Sequence, residues 1–514
     1  MNRSLSAACL LALAAPAATH AAVTGFVYED RDGNGARDGG EPGIAGVAVS
    51  DGTNVVVTGA DGAYALPTQG DAVIFISKPA THALPRGENG MPLFYHVHRP
   101  AGSPPLRYGG IAPTGPLPAS LDFALLPQQP RQQFRAFLLA DPQPRDAREL
   151  DYVRRDIISE VASDGAVDVG IILGDILFDD LDMFRPWSQA ASLVGFPVFH
   201  VIGNHDLDFD AVSDLHSGDT YTSHFGPLNY SFREGNVHFV VLDNIRWNGA
   251  QANNYAEAFD QPQMDWLAKD IALVPEDHLV VVCTHGPLWF ADGGSKVYAE
   301  NLRLLLDVLE DRRAVYAVSG HTHYTSHRFL GPEDGWNGAG TFHAHNIATG
   351  SGSWWSGPTD ARTIPVADQR DGTPNGYVVV DFDGASYTPR YRAAGHDRDH
   401  QMRIYAPGAG LQPADRDGVL LVNVFDGIPD ATVTVSINDG EPIPMSFAPQ
   451  RDPLAMMYYG SFAEAGKTWV NPVNSHHIWE APVELRRGRT HKVAVRYEDR
   501  LGRVFTRVEV LLHR

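Results

Sequence analysis

Five short apolar runs in the middle of this chain each stop at a polar residue that can bind a cation. The polar residues that follow these runs within three positions are Asp141, Asp175, Asn204, His285 and His321. Runs of this length are typical of buried strands, and helical patterns lie between several of them. In a sheet flanked by helices, the carboxyl ends of the strands form the edge where open α/β sheets bind ligands. The sequence therefore predicts an α/β domain that brings these residues together.

The residue types at these strand ends suit two adjacent divalent ions. They comprise carboxylates, amides and imidazoles: Asp141, Gln143, Asp175, Asn204, His285, His321 and His323. Carboxylate and imidazole ligands fit zinc, manganese or iron, and a shared carboxylate is the usual bridge in a two-metal hydrolytic site. Any one of these residues taken alone is more simply interpreted as a turn residue at a strand end. The whole set in this order indicates a metal centre.

The motifs around these residues resemble the five blocks of the calcineurin-like metallophosphoesterases, in the same order. In this chain they read Asp-Pro-Gln, Gly-Asp, Gly-Asn-His-Asp, Thr-His-Gly and Gly-His-Thr-His. The resemblance covers roughly residues 131 to 390. It implies a four-layer α/β/β/α sandwich with the ions at one edge, which the periodicity of the sequence alone does not predict.

The resemblance also implies a role for each residue. Asp175 would bridge the two ions. The remaining ligands would be Asp141, Gln143 and His323 for the first ion, and Asn204, His285 and His321 for the second. His205 would stay off the metals and face the substrate phosphate, held in orientation by Asp206. A metal-bound hydroxide would be the nucleophile.

Two residues depart from the patterns of this family. The first block usually has His where this chain has Gln143, although some branches of the family carry Gln there, so a working site is still expected. Phe178 stands three residues after Asp175, where the purple acid phosphatase branch has Tyr. Without a phenol oxygen at this position, the sequence argues against a tyrosinate-bound iron.

The start of the chain is typical of a secretory signal over residues 1–21. Arg3 provides a charged start, residues 5–15 an apolar stretch, and Thr19-His20-Ala21 a cleavage site. The apolar stretch is too short to span a bilayer, and no transmembrane segment is expected elsewhere. We therefore expect a secreted or periplasmic protein.

Residues 22–130 predict a small β-sandwich that resembles those repeated in bacterial surface adhesins. Its first strand is followed by a loop with the oxygen spacing of a calcium site, formed by Asp30, Asp32, Asn34, Asp38 and Glu41. An EF-hand would need a helix on each side of the loop, and the sequence predicts a strand before it. The alternative is an acidic hairpin turn that binds no ion.

The rest of the chain divides into a catalytic segment, 131–395, and a C-terminal segment, 396–514. The C-terminal segment predicts a β-sandwich and resembles the domain that accompanies some bacterial secreted metallophosphoesterases. Within the catalytic segment, His343, His345 and the glycine-rich run 350–357 follow the last metal block. They belong either to the substrate pocket or to an ordinary core strand and turn.

The formal net charge of −22 repels polyanions, so we expect no broad nucleic-acid surface. The sequence favours a secreted or periplasmic two-metal phosphoesterase acting on small phosphomonoesters or phosphodiesters, with substrates that include esters from the cell envelope. The alternative is a cell-envelope binding protein that uses the same fold with weak or no catalysis. The sequence does not choose between monoesters and diesters, and it fixes neither the metal pair nor the oligomeric state.

Overall fold

The computed structural model describes residues 22–87, 89–249, 254–292, 295–408, 418–461 and 468–513. The predicted signal segment, 1–21, lies outside these residues. None of the helices in the described ranges is both long enough and apolar enough to cross a membrane.

The N-terminal part forms two four-stranded sheets. Its strands are β1 (Ala22–Glu29), β2 (Ala48–Ser50), β3 (Val55–Val57), β4 (Ala63–Pro67), β5 (Ala72–Ile76), β6 (His82–Ala83), β7 (Tyr95–His98) and β8 (Phe123–Pro127). One sheet has the order β4-β1-β8-β6 and the other the order β3-β2-β5-β7. Their apolar side chains are continuous with the core of the central part, since Phe94 packs against Phe199 with ring centroids 5.8 Å apart. The N-terminal sheets therefore form part of a larger core.

The central part contains fifteen strands among the described residues. They are β9 (Gln133–Leu139), β10 (Val169–Leu173), β11 (Val198–Val201), β12 (Tyr230–Glu234), β13 (Val237–Val241), β14 (Ile245–Trp247), β15 (Tyr255–Glu257), β16 (Leu279–Cys283), β17 (Trp289–Asp292), β18 (Ser295–Tyr298), β19 (Ala314–Ser319), β20 (Ser326–Leu330), β21 (Thr341–Asn346), β22 (Gly376–Asp383) and β23 (Ser386–Ala393). Two large mixed sheets result, ordered β11-β10-β9-β22-β23 and β12-β13-β16-β19-β21-β20.

Helices cover these sheets. They are α1 (Ala147–Val153), α2 (Ser159–Asp164), α3 (Phe184–Ala191), α4 (Asp219–Phe225), α5 (Gln261–Ile271) and α6 (Leu302–Leu309), and a π-helical turn, Arg154–Ile158, joins α1 to α2. Alternate residues of β9 show why the layers stack. Ala136 and Leu138 belong to the core between the two sheets, whereas Phe137 and Leu139 belong to the core with Ile157 and the first three helices. The predicted four-layer α/β/β/α sandwich with flanking β domains is confirmed.

The C-terminal part has two further four-stranded sheets with a core of their own. Its elements are β24 (Met402–Tyr405), β25 (Val419–Val424), β26 (Thr432–Ile437), β27 (Ile443–Pro444), β28 (Ser446–Phe447), β29 (Gln450–Arg451), α7 (Pro453–Tyr459), β30 (Asn474–Ser475), β31 (Ile478–Pro482), β32 (Thr490–Glu498) and β33 (Val504–Leu512). The sheets have the orders β24-β25-β31-β28 and β27-β26-β32-β33. The segment with α7 leaves this sandwich and packs against Trp354 of the central part.

Candidate metal centre

The seven predicted ligands all follow parallel strands of the two central sheets. Strands β9, β10 and β11 run parallel in one sheet, and β16 and β19 run parallel in the other. The predicted ligands follow these strands in the order Asp141 and Gln143, Asp175, Asn204, His285, and His321 with His323. Direct contacts connect all seven residues, and the backbone N–H of His321 links the Asp141–His323 pair to the other side chains.

The predicted second metal position is a convergence of electron-pair donors around His285. Its Nε2 lies 3.0 Å from Asn204 Oδ1, 3.2 Å from Asp175 Oδ1 and 3.2 Å from His321 Nδ1. The other ring nitrogen, Nδ1, lies 2.8 Å from the carbonyl oxygen of Leu173. Because Nδ1–H donates to that carbonyl, Nε2 carries the lone pair and faces the site. A cation bound among these four atoms, or a proton on Nε2, offsets the repulsion between their lone pairs.

The charge of the site agrees with a bound cation. Burial by itself lowers the pKa of the His285 imidazole, but the carboxylates of Asp175 and Asp141 outweigh burial and raise the pKa to about 10. Burial by itself raises the pKa of Asp175, yet His285 and His205 beside it hold the pKa well below its usual value. The position therefore strongly favours positive charge next to an ionised carboxylate, which suits a divalent ion.

The first metal position lies between Asp141 and His323. His323 Nε2 is 3.5 Å from Asp141 Oδ1, and its Nδ1 lies 2.5 Å from the carbonyl oxygen of Gly352, which fixes the ring. The backbone N–H of His321 donates to Asp141 Oδ2 at 2.8 Å. Asp141 Oδ1 is buried and has no hydrogen-bond partner among the described residues. A buried carboxylate oxygen without a partner is costly unless a cation binds it, so these residues fit a metal.

Gln143 lies in the cluster, but its amide is turned differently from the predicted orientation. Its Oε1 accepts a hydrogen bond from Trp354 Nε1 at 2.7 Å, and its Nε2 donates to Asp175 Oδ2 at 2.6 Å. The nitrogen of the amide, rather than its oxygen, therefore faces the carboxylate of Asp175. Ligation through the oxygen, as predicted, would need the opposite orientation at Asp175.

His205 lies beside the metal cluster, as expected. Its Nε2 is 4.0 Å from Asp175 Oδ2, and its ring stacks on Phe178 with centroids 4.6 Å apart. Its Nδ1 lies 2.6 Å from Asp179 Oδ1. Burial lowers the pKa of His205, but Asp175 and Asp179 outweigh burial and raise the pKa above its usual value. The imidazole is thus held ready to donate a proton.

The predicted orienting role of Asp206 is wrong. Its carboxylate accepts hydrogen bonds from the backbone N–H groups of Ile176, Leu177 and Gly203, at 3.1, 3.2 and 2.9 Å. It therefore ties the loop after β10 to the loop after β11, and Asp179 takes the orienting role. Sequence reasoning missed Asp179, although an acidic pair four residues after Asp175 was a signal that could have found it.

Glu257 is a second residue that sequence reasoning missed. Its Oε1 lies 3.1 Å from His321 Nε2, on the side of the ring away from His285. A carboxylate on the outer nitrogen of a ligating imidazole fixes the ring and makes it a stronger ligand. Glu257 ends a different hairpin, far along the chain from any metal block, so no sequence signal pointed to it.

Several residues of the centre have strained backbones. Their φ angles lie in the left-handed region, at 45° for Asp141, 37° for Gln143, 48° for Asp175, 75° for His321 and 53° for His323. Such conformations are uncommon outside glycine, and they persist where the surrounding structure enforces them at functional sites. The fold thus holds these side chains in place by sharp turns at the strand ends.

A cavity of about 340 Å³ opens onto the centre. Its walls carry aromatic side chains and one arginine: Tyr255, Phe290, Tyr324, Trp354, Trp469 and Arg370. Trp469 comes from the C-terminal part and is 52% exposed at the rim. The volume suits a small molecule. The sequence left open whether the run 350–357 belongs to the substrate pocket or to an ordinary turn. Its Trp354 lines the pocket.

His343 and His345, in contrast, belong to a buried cluster away from the pocket. His345 Nε2 and His327 Nε2 lie 2.9 and 3.2 Å from Asp426 Oδ1 in the C-terminal part. His343 Nε2 lies 2.9 Å from His327 Nδ1, and the outer nitrogens of His343 and His345 bind tyrosine hydroxyls. Each ring nitrogen of these three histidines has a protein partner, so the cluster joins the two parts of the chain.

The predicted calcium loop places Asp30, Asp32 and Glu41 within reach of one common ion. Asp30 is buried, and its carboxylate accepts hydrogen bonds from the backbone N–H groups of Gly33 and Gly35, at 2.7 and 2.9 Å. Asn34 Nδ2 donates to Asp32 and to Asp38. These bonds would hold an acidic turn together with or without an ion, so calcium binding stays a prediction.

Models of one protein family match the three parts of the chain. A family model described as calcineurin-like phosphoesterase matches residues 135–325. Models for the N terminal and the C terminal of calcineurin-like phosphoesterase match residues 31–106 and 344–505. No curated protein matches the chain. Among solved structures, the chain is similar to a purple acid phosphatase from yellow lupin (Lupinus luteus) seeds, with a TM-score of 0.37 and 13% identity over 73% of this chain and 67% of that one. The N-terminal, central and C-terminal parts of the present chain each match a model of this one family. The chain belongs to the calcineurin-like phosphoesterases.

Proposed function

We propose that this protein hydrolyses small phosphomonoesters or phosphodiesters outside the cytoplasm with two divalent ions. The observation that carries the proposal is the set of contacts around Asp175. One of its oxygens meets His285 Nε2 and the backbone N–H of His205, and the other meets the amide of Gln143. A carboxylate so placed, with ligand sets on both sides, suits a bridge between two ions.

When bound, two such ions would lower the pKa of a water molecule and stabilise charge on the attacking and leaving oxygens of the phosphate. The chain supplies the remaining groups. His205 is positioned to protonate the leaving oxygen, because its Nε2 faces the site and Asp179 holds Nδ1. The aromatic walls of the cavity would hold the organic part of the ester and exclude water.

The location outside the cytoplasm is part of the proposal and rests on residues 1–21 alone. The substrate is proposed to be a small ester. The cavity volume supports that size, and the net charge of −22 disfavours a polyanion. Phosphate esters released from the cell envelope are the first candidates to test.

The test is hydrolysis of p-nitrophenyl phosphate and bis(p-nitrophenyl) phosphate by the purified chain with manganese, zinc or iron(II). We expect turnover of at least one ester, and an Asp175→Asn variant should lose it while binding fewer ions per chain. Binding of two ions without turnover of either ester, or of any ester in an envelope-derived panel, would favour the alternative of a binding protein.

A further inference from the structure

Trp354 contacts two residues that were predicted to bind the same ion. Its indole Nε1–H donates to Gln143 Oε1 at 2.7 Å, and its ring stacks on His323 with centroids 3.9 Å apart and planes 23° apart. Its backbone lies in the left-handed region, with φ at 53°. One aromatic residue with a strained backbone thus contacts both Gln143 and His323 at the first metal position.

The C-terminal part of the chain holds Trp354 in this place. Its ring packs against the small core formed by Ala455, Tyr459 and Val470. The neighbouring Ser353 donates through Oγ to the hydroxyl of Tyr459 at 2.8 Å. The position of the indole is therefore set by packing from outside the metal cluster.

The chemistry of the indole decides which way the Gln143 amide turns. An indole N–H can only donate a hydrogen bond, so the amide must present its oxygen to Trp354. The amide nitrogen then faces Asp175 Oδ2, where it donates at 2.6 Å. If the amide turned its oxygen inward to bind an ion, its N–H₂ would face the indole N–H, and both donors would lose their partners. Leaving buried donors unpaired is costly.

We propose that Trp354 is a positioning residue that keeps Gln143 as an N–H donor to Asp175 and keeps its oxygen off the first ion. The first position then has Asp141, Asp175 and His323 as its protein ligands. This leaves more of its coordination sites to water and the phosphate group, and makes the ion easier to lose. The inference rests on the two-metal site of the proposed function.

The test measures manganese binding by the full chain. The methods are calorimetric titration, and elemental analysis after dialysis. A Trp354→Phe variant keeps an aromatic ring on His323 and removes the N–H. With that donor gone, the amide is free to turn its oxygen inward. We expect the weaker manganese site to bind about tenfold more tightly, which corresponds to one lost hydrogen bond between neutral partners.

The neighbouring residue offers a matched control. Trp355 lies in the same loop, and its Nε1 is buried without a hydrogen-bond partner among the described residues. Trp355→Phe therefore makes the same chemical change without removing a hydrogen bond, and manganese affinity should stay within about twofold of the parent. A gain equal to that of Trp354→Phe would contradict the proposal, because it would show a general effect of the loop.

Two further variants separate the proposal from ligation by Gln143. The gain from Trp354→Phe should vanish in a Trp354→Phe/Gln143→Ala double variant, since the gain needs the amide oxygen. Gln143→Leu, which tests the proposal independently of Trp354, should leave manganese affinity within about threefold of the parent. A loss of tenfold or more in either Gln143→Leu or Trp354→Phe would overturn the proposal. Failure of the parent chain to bind two ions would instead count against the proposed function.

Discussion

The imidazole of His205 is bound by Asp179, whose Oδ1 lies 2.6 Å from Nδ1. Asp206, the residue after His205, has other partners. Its carboxylate accepts hydrogen bonds from three backbone N–H groups in the loops after β10 and β11. The two carboxylates therefore have different functions, since Asp179 contacts the His205 ring and Asp206 contacts the backbone. Asp179 sets the tautomer and orientation of the His205 imidazole, and Asp206 maintains the loops that carry Asp175 and Asn204.

Substituting these two carboxylates should therefore give different results. Asp179→Asn should lower kcat by about tenfold to a hundredfold, as expected when a general acid loses its partner, with metal content and melting temperature unchanged. Asp206→Asn should lower the free energy of unfolding by about 2 kcal/mol, because it weakens charge-assisted bonds to buried N–H groups. Steady-state kinetics and thermal unfolding of both variants check this. A larger loss of stability in Asp179→Asn than in Asp206→Asn would contradict the assignment.

Glu257 should influence metal affinity through His321. Its carboxylate lies 3.1 Å from the outer ring nitrogen of that residue. Glu257→Gln should weaken binding of one ion by about tenfold to a hundredfold, which is the usual effect of losing such an outer partner. Titration with zinc or manganese measures this. An unchanged affinity at both positions would mean that Glu257 does not act on metal binding through His321.

Trp469 should select substrates by their organic part. Its side chain is 52% exposed at the rim of the cavity, where a flat ring can stack on it. Trp469→Ala should raise KM for p-nitrophenyl phosphate about tenfold and leave KM for ethyl phosphate nearly unchanged. Val510→Ala, at an exposed residue of β33 with 70% exposure, is the control for a general surface effect. Equal changes of KM for both esters would argue against stacking.

The buried histidines should lower stability as the pH drops from about 7 to 5, because they resist protonation. Burial, together with His345, lowers the pKa of His327 to about 4. Burial also lowers the pKa of His343 and brings the pKa of His200 to about 3. Between the folded and the unfolded pKa values, the unfolded chain binds more protons, so acid favours unfolding. His327 alone should contribute of the order of 2 kcal/mol of lost stability at pH 5.

The charged groups around His327 do not reverse the direction of its pKa shift. Asp426 accepts its Nε2–H, and Arg503, which pairs with the other oxygen of Asp426, adds positive charge nearby. A His327→Gln variant keeps a donor toward Asp426 and cannot titrate. The unfolding free energy should therefore decrease less between pH 7 and pH 5 in this variant than in the parent. An equal change in both proteins would show that the fold leaves the pKa of His327 unshifted.

Calcium should stabilise the chain through the loop that contains Asp30 and Asp32. An ion that binds only the folded state raises the melting temperature in proportion to its occupancy. The experiment uses the full chain with Asp175→Asn, so that the proposed metal centre contributes less to the shift. We expect millimolar calcium to raise the melting temperature, and a further Asp32→Ala substitution to abolish the rise. A rise that persists in the Asp32→Ala variant would place the ion elsewhere.

The sequence by itself determined the α/β class of the central part and the residues that form the predicted metal cluster. Each ligand directly follows an apolar strand, and the period of two in a strand, with helices between, fixes which edge those residues share. The strand ends at Asp141, Asp175 and Asn204 therefore met once their strands paired in parallel, and the stacking of the second sheet brought His285 to them. Short stretches of the sequence contain this information, because each stretch includes both a strand and the predicted ligand that follows it.

Only the tertiary structure decided which neighbours act on those ligands. Glu257 reaches His321 and Trp354 reaches Gln143 across long stretches of chain, and Trp469 enters the pocket from the C-terminal part. Such contacts depend on how separate elements pack, and no short spacing in the sequence records them. The error at Asp206 has the same cause. The resemblance implied that Asp206 orients His205, whereas the turn after Asn204 directs the Asp206 carboxylate toward the backbone of the neighbouring loop.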